Sequence, residues 1–207
     1  KLKLFDDSIN DIDAPNILIA GCGTGQQSIA SASNFKNAKV LAIDLSLSSL
    51  AYAKRKTEEL DLNIDYMQAD ILDLVRLDKR FNIIECAGVL HHMDDPMAGW
   101  KSLTDCLELG GLMKIALYSE LARKDIVRMR EEIRHLAIGS SAIAMRSFRN
   151  HVINSSEVHH KGMQSTKDFY SLSELRDLLF HVQEHRFTIP LLKDSLSELD
   201  LKFCGFE

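Results

Sequence analysis

The sequence is poor in the features that mark membrane-spanning, secreted and nucleic-acid-binding proteins. It contains no apolar run near the roughly 20 residues that cross a bilayer, and no secretory or transit peptide is visible. The formal net charge is −5, so the surface as a whole is a poor match for a phosphate backbone. We therefore expect no membrane partner and no nucleic-acid partner.

Cysteine is also scarce, and its four positions form no Cys-x-x-Cys pair. Cys22, Cys86 and Cys106 sit in or beside apolar stretches, which is typical of reduced, buried thiols in a cytoplasmic protein. With 45% apolar and 27% charged residues, the 207-residue chain has the composition of a globular protein. That length suits one α/β domain with a sizeable core and an insertion.

The most informative segment is residues 17–25, where four apolar residues run into three glycines spaced two apart. Residues 17–20 suit a buried strand, and the residues from Gln26 onward suit the start of a helix. A strand that feeds a glycine turn at a helix N-terminus brings backbone N–H groups close to a ligand. The pattern Gly21-x-Gly23-x-Gly25 therefore predicts a ligand-binding turn.

An acidic residue, Asp44, follows the glycine turn at a spacing that is typical of nucleotide-binding folds. The predicted second strand, residues 39–43, ends at Asp44, nineteen residues after Gly25. In doubly wound folds an acidic side chain near this position accepts the two hydroxyl groups of a ribose. Asp44 also suits the N-terminal cap region of a helix over residues 46–59. Both roles remain open on the sequence alone.

Strand and helix patterns alternate over the first 118 residues. This rhythm predicts βαβ units, and hence a parallel sheet with helices on both faces and right-handed crossovers. Further strands are predicted at residues 64–70, 81–87 and 112–118, with a helix at 97–109 and a Gly110-Gly111 turn after it.

The pattern then becomes helical and highly charged. Helical stretches are predicted at residues 120–136 and 140–152, a polar loop at 154–165, and a helix opened by the capping-box pattern of Ser171 and Glu174. A helix at 190–199 and a strand at 201–206 return to the α/β pattern. We predict a core over residues 1–118, a helical lid inserted over 119–187 after the fifth strand, and a return to the core over 188–207.

In this order the pieces resemble the class I S-adenosylmethionine-dependent methyltransferases. The resemblance covers roughly residues 15–118 and rests on the glycine turn, Asp44, Gln68-Ala69-Asp70, and residues 89–93 and 109–111. Residues 90–96, Leu-His-His-Met-x-Asp-Pro, look most like the branch that acts on small molecules. Residues 178–185 look like methyltransferase domains fused to tetratricopeptide repeats, which implies an N-terminal repeat region in a longer chain.

The resemblance implies S-adenosylmethionine as cofactor and assigns its contacts. The glycines approach its methionine and ribose parts, Asp44 takes the ribose hydroxyls, and Asp70 accepts from the adenine amino group. The full set of implied cofactor-binding residues is Gly21, Cys22, Gly23, Gly25, Asp44, Leu45, Asp70, Ile71, Cys86 and Ala87.

One position departs from the family pattern. Members usually carry an acidic residue two positions before the first glycine, where it indirectly holds the ammonium group of the cofactor; here that position is Ile19. The implied acceptor is a small molecule, methylated on oxygen, carbon or nitrogen. His91 and His92, after the fourth predicted strand, are the candidate general bases, with packing and capping of the following turn as the alternative.

The inserted helices are predicted to cover the acceptor and are also a candidate homodimer interface. Six polar or aromatic side chains there are candidates for contact with the acceptor: Tyr118, Arg123, Arg128, His151, His159 and His160. A solvated helical face is the alternative for each of them.

Three other functions fit parts of the sequence. His181-x-x-Glu184-His185 matches a zinc-peptidase pattern that needs both histidines on one helix. It leaves the glycine turn unexplained, so we expect no bound metal. A nicotinamide-dependent oxidoreductase would also have the glycine turn and an acid at Asp44. Its usual pattern, Gly-x-Gly-x-x-Gly, places the third glycine at position 26, where this sequence has Gln26. A non-catalytic module that binds S-adenosylmethionine is the third alternative, and Ile19 favours it.

Overall fold

The computed structural model describes residues 12–181 and 183–206. These residues form two compact units, one of residues up to 117 together with 189 onward, and one of residues 118–188. We call the first the sheet unit and the second the helical unit, and each is described by itself.

The sheet unit contains five parallel strands in the order β3-β2-β1-β4-β5. The chain order reverses between β1 and β4, so the switch point of a doubly wound sheet lies beside the glycine turn. The strands are β1 (Asn16–Ala20), β2 (Lys39–Asp44), β3 (Ile64–Gln68), β4 (Phe81–Ala87) and β5 (Leu107–Ala116).

Helices connect the strands and cover the two faces of the sheet. They are α1 (Gln26–Asn34), α2 (Leu47–Glu59), α3 (Pro96–Asp105) and α8 (Ile189–Glu198), with short 3-10 helices at Ile71–Leu77 and Leu90–His92. Side chains at alternate strand positions pack on opposite faces, as the pleat requires. Ile17, Ile19 and Ile83 pack in the cluster with Leu50 of α2, whereas Leu18 and Ile84 pack in the cluster with Trp100 of α3. The predicted fold class is confirmed.

Polar caps set where the helices begin. Ser46 caps α2 by accepting from the N–H group of Ser49, and Asp95 caps α3 by accepting from Met97 and Ala98. These side chains satisfy N–H groups that have no partner within the helix. The cap of α2 is therefore Ser46 and not Asp44, which leaves the Asp44 carboxylate to other contacts.

The predicted elements of the sheet unit need two corrections. The predicted helix over residues 97–109 is too long, because α3 ends at Asp105. The predicted turn at Gly110-Gly111 lies within β5, which already begins at Leu107. The pairing of β4 with β5 shifts register between Phe81 and Ile83, and a Cβ on Gly111 would lie 3.0 Å from the carbonyl oxygen of Asn82. The glycines thus serve a bulge within the strand.

The predicted strand at 201–206 is also wrong, because these residues take no strand pairing. Phe203 and Phe206 are exposed and stack edge to face on each other. A strand requires a neighbour that accepts its hydrogen bonds, and alternation in the sequence does not report whether one is present.

The helical unit contains four helices around its own core. They are α4 (Lys124–His135), α5 (Ala142–Ile153), α6 (Val158–Gln164) and α7 (Leu172–Phe180), with a 3-10 helix at Lys167–Phe169. Methionine, phenylalanine and leucine side chains fill that core, among them Met129, Met145, Phe148, Phe169 and Leu175. Within the described residues, no helix is long and apolar enough to cross a membrane.

The prediction of a polar loop over 154–165 is wrong, because α6 lies within it. Its polar sequence conceals two buried side chains, His160 and Met163. Burial of this face against α4 and α5 outweighs the weak helix propensity of Gly162 and the two histidines. The capping pattern at Ser171 is confirmed, since its hydroxyl accepts from the N–H group of Glu174 at the start of α7.

Candidate functional site

The carboxyl ends of the parallel strands gather the predicted residues at one edge of the sheet. The glycine turn follows β1, Asp44 ends β2, Asp70 lies two residues beyond β3, and Cys86 and Ala87 end β4. Ligands of open α/β sheets bind in the crevice outside this edge, at the switch point. The described geometry therefore brings together the side chains that the sequence placed in one site.

The three glycines of the turn differ in their surroundings. All have positive φ, at 73°, 52° and 92° for Gly21, Gly23 and Gly25. A Cβ on Gly21 would collide with Val89, and one on Gly25 would lie 2.7 Å from the Cβ of Ala53. A Cβ on Gly23 would meet no protein atom within 4 Å. Gly23 is thus the glycine whose missing side chain leaves open space.

Asp44 ties the end of β2 to the glycine turn. Its Oδ2 accepts from the backbone N–H of Gly23 at 2.8 Å, and its Oδ1 accepts from the N–H of Ser46 at 2.8 Å. Each carboxylate oxygen has a second lone pair, so Asp44 retains two positions for ribose hydroxyls while it holds the turn. The alternative role in the N-terminal cap region of α2 takes a different form: Asp44 accepts from the N–H group of Ser46, and Ser46 is itself the cap residue.

Asp70 starts the 3-10 helix after β3. Its Oδ1 accepts from the N–H of Leu72 at 2.9 Å, which accounts for one oxygen of the carboxylate. Ile71 beside it is buried, whereas Leu45 is 66% exposed at the end of β2. Leu45 is thus an exposed apolar side chain next to Asp44, on which a planar ring could pack.

The cysteines at this edge are kept as neutral thiols. Burial, together with the negative charge of Asp44, raises the pKa of the Cys22 thiol to about 11. Burial also raises the pKa of Cys86 to about 12. Cys106 is buried too, all four cysteines are free, and only Cys204 is exposed. The thiols of Cys22 and Cys86 are therefore packing groups and not nucleophiles at neutral pH.

Glu85 is a candidate site residue that the sequence analysis missed. It lies on β4 opposite Ile19 in the register, and it is 8% exposed. Its carboxylate accepts from Gln27 Nε2 at 2.8 Å and from Ser31 Oγ at 3.0 Å, both on α1. The signal was present, because an acidic residue stands among apolar ones in the predicted strand. Only the register, however, relates it to Ile19.

The two histidines after β4 differ in burial. His91 is 1% exposed and packs edge to face on His92, with ring centroids 4.4 Å apart. His92 is half-buried. A buried ring has little room to meet an acceptor, so His92 is the better candidate of the pair.

The residues of the helical unit that the sequence predicts to contact the acceptor have partners within that unit. Arg123 is buried, donates to both oxygens of Glu184 at 2.8 and 2.6 Å, and stacks 3.6 Å from the ring of Tyr118. Arg128 is exposed and lies 4.0 Å from Asp125. His151, His159 and His160 all lie around Glu132.

The zinc-peptidase pattern does not form its site. Helix α7 ends at Phe180, and His181 already has extended backbone angles. Glu184 is paired with Arg123 and Arg130, so it is not a free base. The geometry excludes the pair of histidines on one helix that this chemistry needs.

The chain is similar in sequence to known proteins. Residues 17–111 match a family model described as "Methyltransferase domain". An uncharacterized protein of Synechococcus sp. is 30% identical over 206 residues, which cover 93% of this chain and 48% of that protein. Ubiquinone biosynthesis O-methyltransferase of Coxiella burnetii is 34% identical over 111 residues, which cover 54% of this chain and 46% of that enzyme. The chain thus spans about half the length of these relatives.

Solved structures show the same fold. PKMT2 from Rickettsia typhi superposes with a TM-score of 0.73 at 17% identity, covering 90% of this chain and 38% of that one. An S-adenosylmethionine-dependent methyltransferase from Clostridium acetobutylicum gives 0.50 at 23% identity, covering 57% and 49%. The match to a methyltransferase-domain model favours the methyltransferase over the oxidoreductase alternative. Residues 17–111 thus match the methyltransferase-domain family model, and the sheet unit shares its fold with these solved structures.

Proposed function

We propose that this chain is an S-adenosylmethionine-dependent methyltransferase that methylates an oxygen, carbon or nitrogen atom of a small molecule. The observation that carries the proposal is the bond from Gly23 to Asp44 beside the open space at Gly23. It fixes a bare backbone turn and a carboxylate next to each other at the switch point. A nucleoside with a cis-diol fits that pair.

The residues present fit the cofactor along its length. Asp44 accepts the ribose hydroxyls, Leu45 and Ile71 pack on the adenine, and Asp70 accepts from its amino group. Gly21, Cys22, Gly23, Gly25, Cys86 and Ala87 line the remaining length toward the methionine end. When bound, the cofactor supplies a methyl group on a positively charged sulfur, which a nucleophile takes by in-line displacement.

Glu85 supplies the negative charge that Ile19 lacks. Its hydrogen-bond donors Gln27 and Ser31 are both neutral side chains, and both belong to α1, the helix that follows the glycine turn. In a low-dielectric surrounding such a charge attracts an ammonium group strongly. Glu85 is thus a positioning residue for the amino-acid part of the cofactor, and the departure at Ile19 does not require a degenerate domain.

Alignment and exclusion of water supply most of the rate in this kind of reaction. A base is needed only when the nucleophile is protonated at neutral pH. In that case His92 takes the proton, while the buried His91 supports the turn that presents His92. His92→Ala should lower turnover while cofactor affinity stays unchanged, and His91→Ala should lower the stability of the fold.

The test is calorimetric titration of the purified chain with S-adenosylmethionine, with NAD as the negative control. Micromolar binding is expected, and Asp44→Ala should weaken it about a hundredfold, since two charge-assisted hydrogen bonds are lost. Asp73→Ala, an exposed carboxylate on the 3-10 helix after β3, is the matched control. Absence of binding in the folded chain would contradict the proposal.

The search for the methyl acceptor follows the test of cofactor binding. The enzyme from Coxiella burnetii is an O-methyltransferase of ubiquinone biosynthesis, so acceptors with a hydroxyl oxygen should be screened first. Methyl transfer from labelled cofactor would establish the enzyme. Cofactor binding without transfer to any acceptor would instead favour a non-catalytic binding module.

A further inference from the structure

Three histidines of the helical unit converge on one carboxylate. Glu132 lies on α4, His151 on α5, and His159 and His160 on α6. The Nε2 atoms of His160 and His159 lie 2.7 and 3.5 Å from Oε2 of Glu132, and Nε2 of His151 lies 3.3 Å from Oε1. Two helices thus direct three imidazole nitrogens to one carboxylate on a third helix.

The side chains of Glu132, His159 and His160 are largely buried, and His160 most of all. The side chain of His160 is 2% exposed, and its Nδ1 has no hydrogen-bond partner among the described residues. Every polar contact of this ring therefore runs through Nε2, toward Glu132. His159 and Glu132 are 19% and 24% exposed, so an ion can reach the cluster from solvent.

Packing alone does not call for three imidazoles here. One hydrogen bond from a neighbouring histidine would compensate much of the cost of half-burying Glu132. The rings of His159 and His160 lie 4.2 Å apart, and those of His151 and His160 lie 5.7 Å apart. If all three carried protons, their positive charges would repel at these distances. A cation shared by neutral rings removes that conflict.

We propose that Glu132, His159 and His160 bind a divalent transition-metal ion of the zinc class. One ligand atom from each of the three lies within 4.8 Å of the others. Two nitrogens and one carboxylate oxygen are a frequent zinc set, with bonds of about 2.0–2.2 Å and a fourth position open to water. Those bonds place neighbouring ligand atoms roughly 3.3 Å apart. The 3.5 Å between His159 and Glu132 is close to this value, whereas the 2.7 Å between His160 and Glu132 is that of a direct hydrogen bond and has to lengthen by about 0.6 Å when the ion enters.

His151 completes the arrangement from the second oxygen of Glu132. A donor at that oxygen orients the carboxylate toward the ion, as partners of metal ligands commonly do. The ion would join α4 to α6 within the helical unit. This assignment revises the expectation that the chain binds no metal, and it is independent of the proposed methyltransferase function.

The experiment is titration of the tag-free, chelator-treated chain with Zn²⁺ by calorimetry. We expect one ion per chain, and Co²⁺ in its place should acquire the visible absorption of a site with imidazole and carboxylate ligands. His159→Ala and Glu132→Gln should each weaken Zn²⁺ binding at least tenfold, and His151→Ala about tenfold. His135→Ala, an exposed histidine at the end of α4, is the matched control and should leave binding unchanged.

His159→Ala keeps the test decisive, because this partly exposed side chain can be removed without emptying the core as His160→Ala would. Circular dichroism confirms that each variant is folded. Absence of stoichiometric Zn²⁺ binding, or equal binding by wild type, His159→Ala and Glu132→Gln, would overturn the proposal. A cluster that changes stability with pH but ignores Zn²⁺ would likewise overturn it.

Discussion

Glu85 faces Ile19 across the pairing of β1 and β4, on the sheet face that α1 covers. Because paired residues of parallel strands point to the same face, the Glu85 carboxylate lies beside the position where the family usually carries an acid. Ile19 itself is fully buried in the apolar cluster of that face. Under the proposed function, Glu85 is the source of the negative charge that Ile19 does not supply, one strand away.

This relationship predicts how Glu85→Gln behaves. The amide keeps the shape and the contact with Ser31 but removes the charge, so affinity for S-adenosylmethionine should fall about ten- to a hundredfold. Affinity for 5′-methylthioadenosine, which lacks the amino-acid part, should not change. Calorimetry with both ligands tests this, with Glu108→Gln on exposed β5 surface as the control. An equal loss for both ligands would mean that Glu85 only supports the fold.

The glycine turn predicts two different outcomes for two similar substitutions. Gly25→Ala places a Cβ against Ala53 at a positive φ, so it should destabilise the fold by about 2 kcal/mol or more. Gly23→Ala meets only the backbone cost of about 1–2 kcal/mol, but its methyl group enters the open space. Its main effect should be lost cofactor affinity.

Urea unfolding and cofactor titration separate these two effects. Gly139→Ala, which has no close neighbour and no positive φ, is the control for added bulk. If Gly23→Ala bound the cofactor as well as wild type does, the cofactor would not approach the turn at Gly23.

The buried ion pairs of the helical unit predict a large stability effect. The side chain of Glu184 is 1% exposed and pairs with Arg123 at 2.6 Å and Arg130 at 2.9 Å. Glu184→Ala leaves two buried guanidinium groups without this partner, which should cost about 3–5 kcal/mol. Glu120→Ala removes the more exposed pair with Arg186 and should cost at most about 1 kcal/mol. Chemical unfolding followed by circular dichroism compares them, and equal losses would contradict the account.

The buried thiols predict how stability responds to alkaline pH. Burial, with Asp44, raises the pKa of Cys22 from 9.0 to about 11, so the unfolded chain loses this proton at lower pH than the folded chain. The contribution of Cys22 is therefore constant below pH 9 and is lost as the pH rises from about 9 to 11. Between these pH values wild type should lose more stability than Cys22→Ala, as urea unfolding would show. An identical slope in both proteins would contradict this.

Much of the sheet unit follows from local sequence. The glycine turn, Asp44 and the strand at residues 81–87 lie where periodicity and turn residues predict them, because each depends on side chains close in the chain. The same reasoning misplaced the helix end near Asp105 and missed α6. Both depend on contacts between residues far apart, a shifted register in one case and a buried His160 in the other.

Local patterns in the sequence predict the α/β class, the glycine turn and the carboxylate that follows it. Each of these needs only a local pattern: apolar periodicity, glycine at positive φ and an acid at a strand end. Which charged groups come together depends on packing in three dimensions. Strand register places Glu85 opposite Ile19, two residues before the glycine turn, and the packing of three helices places three histidines around Glu132. These contacts join residues that are far apart in the sequence, so the spacing of residues along the chain does not predict them.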